Sequence, residues 1–193
     1  MFSTITQLAG GSRPSTWHHH CEPVTFGYEQ QSRSSPHTAA ILQRPAYLTV
    51  REAIKDAVYR AVTGIDKDDK ELFDSAFTEG AVFDLNGTRS EGLAAIHTNM
   101  FNHISKLDTT HFITNERVQV DKADNRTAVL SSHALAQHYR PGQGTEPGAK
   151  RLLTGSLYDL DLVEDPKDGL WKITVWKMKL IWVDGDMSIV MPS

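Results

Sequence analysis

The run Thr109 to Asn115, TTHFITN, sets an imidazole and an amide four residues apart inside an apolar, β-branched stretch. In an extended chain His111 and Asn115 project from one face, with Ile113 between them, and polar groups turned inward from a strand line a cavity. Imidazole exchanges its proton near neutral pH, so His111 suits acid or base work, although a hydrogen-bonded core role fits it as well. Asn115 would orient a ligand carbonyl or serve a sheet-edge hydrogen bond. Upstream, Tyr59 and Asp66 lie seven residues apart, near one face of a predicted helix and two turns from each other. Asp66 also stands where that helix breaks, and capping the next helix is its plainer role. Downstream, His133 and His138 are five residues apart, so a regular strand sends them to opposite faces. The even positions Ala128, Leu130, Ser132, Ala134 and Ala136 are mainly small, which puts His138 on the crowded or cavity-facing side. Tyr158, Trp171, Trp176 and Trp182 read as core or pocket wall.

The elements that must position these groups follow from periodicity and turn chemistry. Thr49-Val-Arg-Glu52 is a capping box, and Ile54, Ala57, Val58, Ala61, Val62 and Ile65 recur at helical spacing, predicting a helix over about 50–64. Leu72, Phe73, Ala76 and Phe77 mark a second short helix after the break at Gly64. Ala81 to Leu85 reads as a strand closing on the Asn86-Gly87 turn. Ser90 is placed to cap a third helix through about Ser105, carrying Leu93, Ile96, Met100, Phe101 and Ile104. Strands are predicted at about 110–120, 127–139, 152–164 and 170–183, separated by Asp124-Asn125, the 141–148 loop and the turn 165–169. Helices followed by consecutive long strands imply an α+β domain, its helices packed on one face of a mostly antiparallel sheet. Strong curvature would make that sheet a cone, a ready site for a small apolar ligand.

The chain has 193 residues, net charge −4 and a pI near 6.1. That length suits a single domain. Charges of both signs are spread along it, which argues against nucleic acid as the main partner. The one cysteine, Cys21, cannot close an internal disulfide. No run reaches the ~20 apolar residues of a membrane span, and the first residues lack the pattern of a signal peptide. The expectation is a soluble, cytoplasmic protein. Residues 1–46 are rich in Ser, Thr, Gln, Pro, His and Gly and read as a flexible extension to a domain over 47–188, with 189–193 as a tail. Within the extension, Trp17 to Cys21 is WHHHC, but consecutive residues do not readily converge on one tetrahedral ion. No paired-histidine or facial-triad spacing occurs elsewhere, so neither metal nor cofactor is expected.

Several stretches, in this order, resemble a known family: Ile65-Asp66-Lys67-Asp68 with Leu72-Phe73; Phe77-Thr78 with Ala81-Val82; Thr110-His111-Phe112 with Asn115 and Val118; and Ala136-Gln137-His138-Tyr139. Gly155 with Tyr158, then Asp168-Gly169 with Trp171-Lys172-Ile173, then Trp182 with Gly185-Asp186 complete the series. Over about residues 48–186 the chain resembles the SnoaL-like branch of the NTF2-like superfamily, which includes scytalone dehydratase and bile-acid 7α-dehydratase. The resemblance implies a cone of three N-terminal helices on a strongly curved sheet, a homodimer or homotrimer, and a small molecule held inside. It also implies a catalytic histidine at His111, an assisting aspartate at Asp66 and a tyrosine that polarises the substrate carbonyl. This chain has Ile65 where scytalone dehydratase has a tyrosine, so Tyr59 or Tyr158 would take that part. Leu157-Tyr158 replaces that enzyme's asparagine on the penultimate strand.

Three functions follow as expectations. The first is a cofactor-independent lyase of dehydratase type, or a related isomerase or cyclase, acting on a small cyclic or polyketide-like substrate. Its catalytic residues would be Asp66, His111 and Tyr59, with Asn115, His138, Tyr158 and Trp176 binding substrate. The second is a non-catalytic ligand-binding or assembly domain, since one fold hosts many functions. The third is a metal enzyme built from His111, His138 and Asp66.

Overall fold

A computed structural model describes residues 48–191. The extension, its WHHHC run and the last two residues lie outside the described residues. Helix α1 (Val50–Asp66) begins at the capping box: the Thr49 hydroxyl accepts from the Glu52 N–H, and the Glu52 carboxylate accepts from the Thr49 N–H at 2.8 Å. Its apolar stripe, Ile54, Ala57, Val58, Ala61 and Ile65, is fully buried. Helix α2 (Lys70–Ser75) is capped by Asp69, whose carboxylate accepts from the Leu72 N–H at 2.9 Å. Asp69 therefore takes the capping role considered for Asp66.

The turn between the two helices is tight because Gly64 has no side chain. A Cβ there would sit 2.7 Å from the Phe73 backbone nitrogen and 2.8 Å from its Cα. Backbone cannot swing aside as a flexible side chain would, so Gly64→Ala is expected to cost about 1–3 kcal/mol in spite of alanine's better helix propensity. Thermal unfolding should report a fall of roughly 2–4 °C per kcal/mol at this size. An unchanged or higher midpoint would show that the helices can part without cost.

Strand β1 (Phe77–Leu85) turns at Asn86-Gly87 into β2 (Thr88–Glu91). The third helical stretch starts later than Ser90: α3 (Leu93–Ile96) opens at Gly92 without a side-chain cap, because Ser90 is drawn into β2 and its hydroxyl accepts from Asn99. The stretch continues through a π turn, His97–Phe101, into α4 (Asn102–Ile104). Four long strands follow: β3 (Asp108–Val120), β4 (Thr127–Tyr139), β5 (Arg151–Glu164) and β6 (Trp171–Gly185), then a 3-10 turn, Met187–Ile189.

The six strands form one sheet in the order β2-β1-β6-β5-β4-β3, antiparallel except where β1 runs parallel to β6. Bulges interrupt β3 between Thr114 and Arg117, and the β5–β6 pairing beside Gly155 and Leu162. They add curvature, since a bulge bends its strand and increases its twist. The inner face closes over α1 and α2 around Phe73, Phe77, Tyr158, Trp171 and Trp176. The domain is the expected α+β cone. Among the described residues no helix is long and apolar enough to cross a membrane.

Candidate active site

Helix α1 lies along β3, and its end delivers Asp66 to His111. One carboxylate oxygen lies 2.6 Å from His111 Nδ1, and the other accepts the His111 backbone N–H at 2.9 Å. A carboxylate only accepts, so Nδ1 carries the shared proton and a neutral ring keeps its lone pair on Nε2. The His111 side chain is buried and that of Asp66 is largely so. Both carboxylate oxygens are committed, which fixes the ring's position as well as its tautomer.

His111 borders an apolar cavity of about 220 Å³ whose walls include Ile65, Met100, Trp176, Met178 and Leu180. That is smaller than the ~300–1,000 Å³ of typical ligand sites, so its occupant is compact. His138 faces the same cavity from β4, its ring edge-on to that of His111 at a centroid separation of 5.6 Å. The alternation of β4 places even positions inward, and His133 faces outward. Burial first, and then the neighbouring His111, lower the pKa of His138 to about 4, with Asp66 opposing the shift. His138 is therefore neutral at physiological pH, with Nδ1 2.8 Å from the Thr109 hydroxyl.

Tyr158 and Trp176 also line the cavity, with rings edge-to-face at 4.9 Å. Burial, and secondarily the charge of Asp66, pushes the Tyr158 pKa up, which keeps its hydroxyl protonated and able to donate. Broader, more open hollows over Arg117, Asp159 and Lys177 lie on the other face of the sheet and contain none of these groups.

Two expected site residues are elsewhere. Tyr59 is 41% exposed, and its hydroxyl donates to Glu116 at 2.9 Å. It does share the β3-facing side of α1 with Asp66, but two turns of helix carry it to the level of Glu116 instead of His111. Burial and the Glu116 hydrogen bond raise its pKa to about 12. Asn115 is the residue displaced by the β3 bulge. Its φ is 55°, and its side chain meets His133 Nδ1 at 2.7 Å on the outside, so the same-face spacing from His111 fails. Sequence reasoning also missed Thr109, Asn99 and His103. His103 follows Met100 by three residues, and that helical spacing to a stripe residue was the available signal. Among the described residues no group of three His, Cys, Asp or Glu side chains is arranged to hold a metal.

The sequence matches the SnoaL-like domain over residues 46–177, which include Asp66, His111, His138, Tyr158 and Trp176. The chain belongs to the SnoaL-like family, within the NTF2-like superfamily. It is 48% identical, over 74% of its own length and 90% of the relative's, to "Terrestric acid biosynthesis cluster protein E" of Penicillium crustosum. Among solved structures it resembles a candidate aromatic ring hydroxylase from Novosphingobium aromaticivorans, at TM-score 0.60 and 22% identity, covering 73% of this chain and 96% of the other. It also resembles a candidate scytalone dehydratase from the same species, at TM-score 0.58 and 18% identity, covering 70% and 87%. At such identities the two structures speak to the fold alone.

Proposed function

We propose that this chain is a cofactor-independent lyase or isomerase that removes a proton next to the carbonyl of a compact, largely apolar substrate. The observation that carries this reading is the 2.6 Å contact of Asp66 with His111, whose ring borders the apolar cavity. His111 Nε2 takes the proton, and the C–H electrons move onto the carbonyl oxygen as an enolate. The protonated Tyr158 hydroxyl and a neutral His138 donate to that oxygen; a Thr109 hydroxyl directed at Nδ1 leaves Nε2–H of His138 for the task. As the enolate collapses back to a carbonyl, a β-hydroxyl departs and takes the proton from His111 as water, which completes a dehydration. Return of that proton to a different carbon gives isomerisation. The relative's place in a biosynthesis cluster supports a small-molecule role.

The experiment is exchange of the α-protons of 1-indanone in D2O, followed by proton NMR with wild-type protein and the His111→Gln variant. Indanone is a compact cyclic ketone that reports carbon acid chemistry without knowledge of the natural substrate. Exchange that depends on His111 supports the reading. No exchange above buffer, or exchange that survives the substitution, overturns it.

Assembly is part of the proposal. Phe112, Leu135, Gly155 and Trp182 pair across β3, β4, β5 and β6 in one row on the outer face. Phe112 is 58% exposed, Leu135 37% and Trp182 46%. The Trp182 ring lies over Gly155, where a Cβ would fall 2.1 Å from it. Such a row is an unusual outer surface for a monomer, and a second copy of the chain is its proposed cover. Trp182→Glu is expected to lower the mass measured by light scattering to that of one chain. A wild-type protein already of that mass would end the idea.

A further inference from the structure

The catalytic wall accounts for one carbonyl of the substrate, but two polar atoms bordering the cavity are left without partners. His103, on α4, lines the cavity, and its Nε2 is buried without a hydrogen-bond partner. Trp176, on β6, lines it too, and its indole N–H is likewise buried and unpartnered. Most of the remaining wall is apolar, from Ile65, Phe83, Met100, Met178 and Leu180. Buried polar nitrogens are nearly always paired in folded proteins, and those that are not call for a ligand or an ordered water. His103 follows a π turn, and such turns recur where a helix is reshaped around a functional site. The helical segment thus brings a hydrogen-bonding ring to a wall of the cavity formed by a different element from those carrying His111 and His138.

From this arrangement we infer that His103 is a specificity-determining residue, which hydrogen-bonds a second oxygen of the substrate while His111, His138 and Tyr158 engage the reacting carbonyl. The substrate class is a compact carbocycle that bears a hydroxyl or second carbonyl away from the carbon that loses its proton. Imidazole serves either oxygen: Nε2–H donates to a carbonyl, and the other tautomer accepts from a hydroxyl. A substrate held at two points is fixed in orientation, which presents one α-carbon to His111. The inference rests on the carbonyl-binding reading of the site given above.

The test compares 1-indanone with its ring-hydroxylated derivatives, by calorimetric titration of wild-type protein, His103→Leu and His103→Gln. In wild type at least one hydroxylated ketone is expected to bind about tenfold more tightly than the parent, the size of one net hydrogen bond. In His103→Leu that ratio falls to within about twofold of one. In His103→Gln, whose amide reaches a similar distance, part of the preference returns. A purely structural histidine would change affinity for all the ketones together and leave their ratio alone. A ratio near one in wild type, a ratio unchanged in His103→Leu, or no binding of any of these ketones overturns the inference. The parent ketone's α-proton exchange separates the two ideas. Exchange without hydroxyl preference defeats this inference and leaves the lyase reading standing, whereas preference without exchange does the reverse.

Discussion

His111→Gln is expected to slow α-proton exchange in 1-indanone by ~10²–10⁴-fold, the usual contribution of a positioned general base. Glutamine has nearly the length of histidine, and its amide can still donate to the Asp66 carboxylate, which now accepts Nδ1–H at 2.6 Å. The fold and the cavity shape should therefore survive. What is lost is the nitrogen lone pair facing the cavity, because an amide nitrogen has no useful basicity. Affinity for the ketone should stay within about tenfold of wild type, since His111 interacts with the leaving proton in the transition state far more than with bound ketone. Equal losses of affinity and rate would instead describe a binding domain that has no base. His138, whose pKa is lowered to about 4, stays neutral near physiological pH and donates to the enolate oxygen without titrating there. His138→Asn would then weaken exchange while leaving its pH dependence near neutrality unchanged.

The architecture could be read from the chain because its signals are local and agree with one another. A capping box, a 3.6-residue apolar stripe, Asn-Gly at a turn and four alternating runs each specify an element, and together they leave few ways to form one core. What failed was local too. The stripe from Leu93 to Ile104 announces a helix, but not that Ser90 belongs to β2, because a serine before an apolar run is as good a strand end as a cap. At the site, strand parity puts His138 inward and His133 outward, and it depends only on β4 being regular. The same rule misplaces Asn115, since the β3 bulge inserts a residue just there and reverses the alternation beyond it. Asn115 is a residue type that tolerates the positive φ of the bulge, but a lone Asn without glycine in Thr114-Asn-Glu-Arg117 does not announce a break in the strand. Tyr59 fails for a different reason: it shares a face with Asp66, but the seven-residue offset, about 10 Å along the axis, brings its hydroxyl to Glu116 and not to His111. The 45-residue separation of Asp66 and His111 is invisible to any periodicity, and only family resemblance linked them. His103 was hidden because a histidine beside an apolar stripe looks like the edge of a solvated face.

Asp66→Asn should be almost as damaging as loss of the base itself, and for a reason that can be seen directly. Asp66 accepts two N–H bonds, one from the His111 ring and one from its backbone. An asparagine has one accepting oxygen for these two donors. If that oxygen keeps the backbone N–H, the amide NH2 faces Nδ1, which must then become the acceptor. The ring proton moves to Nε2, and the atom that should abstract a proton from the substrate now carries one. Exchange is expected to fall by ~10²–10⁴-fold, the range lost when a catalytic base is disabled. Nitrogen NMR of histidine-labelled protein should show the dominant neutral form of His111 shift from protonated Nδ1 to protonated Nε2. Because His111→Gln removes that lone pair as well, the double variant should be little slower than either single one; residues that act as a unit are not additive. Full additivity would mean that Asp66 acts on the substrate independently of His111. A wild-type tautomer in Asp66→Asn together with a normal rate would mean that the carboxylate only braces the end of α1 against β3.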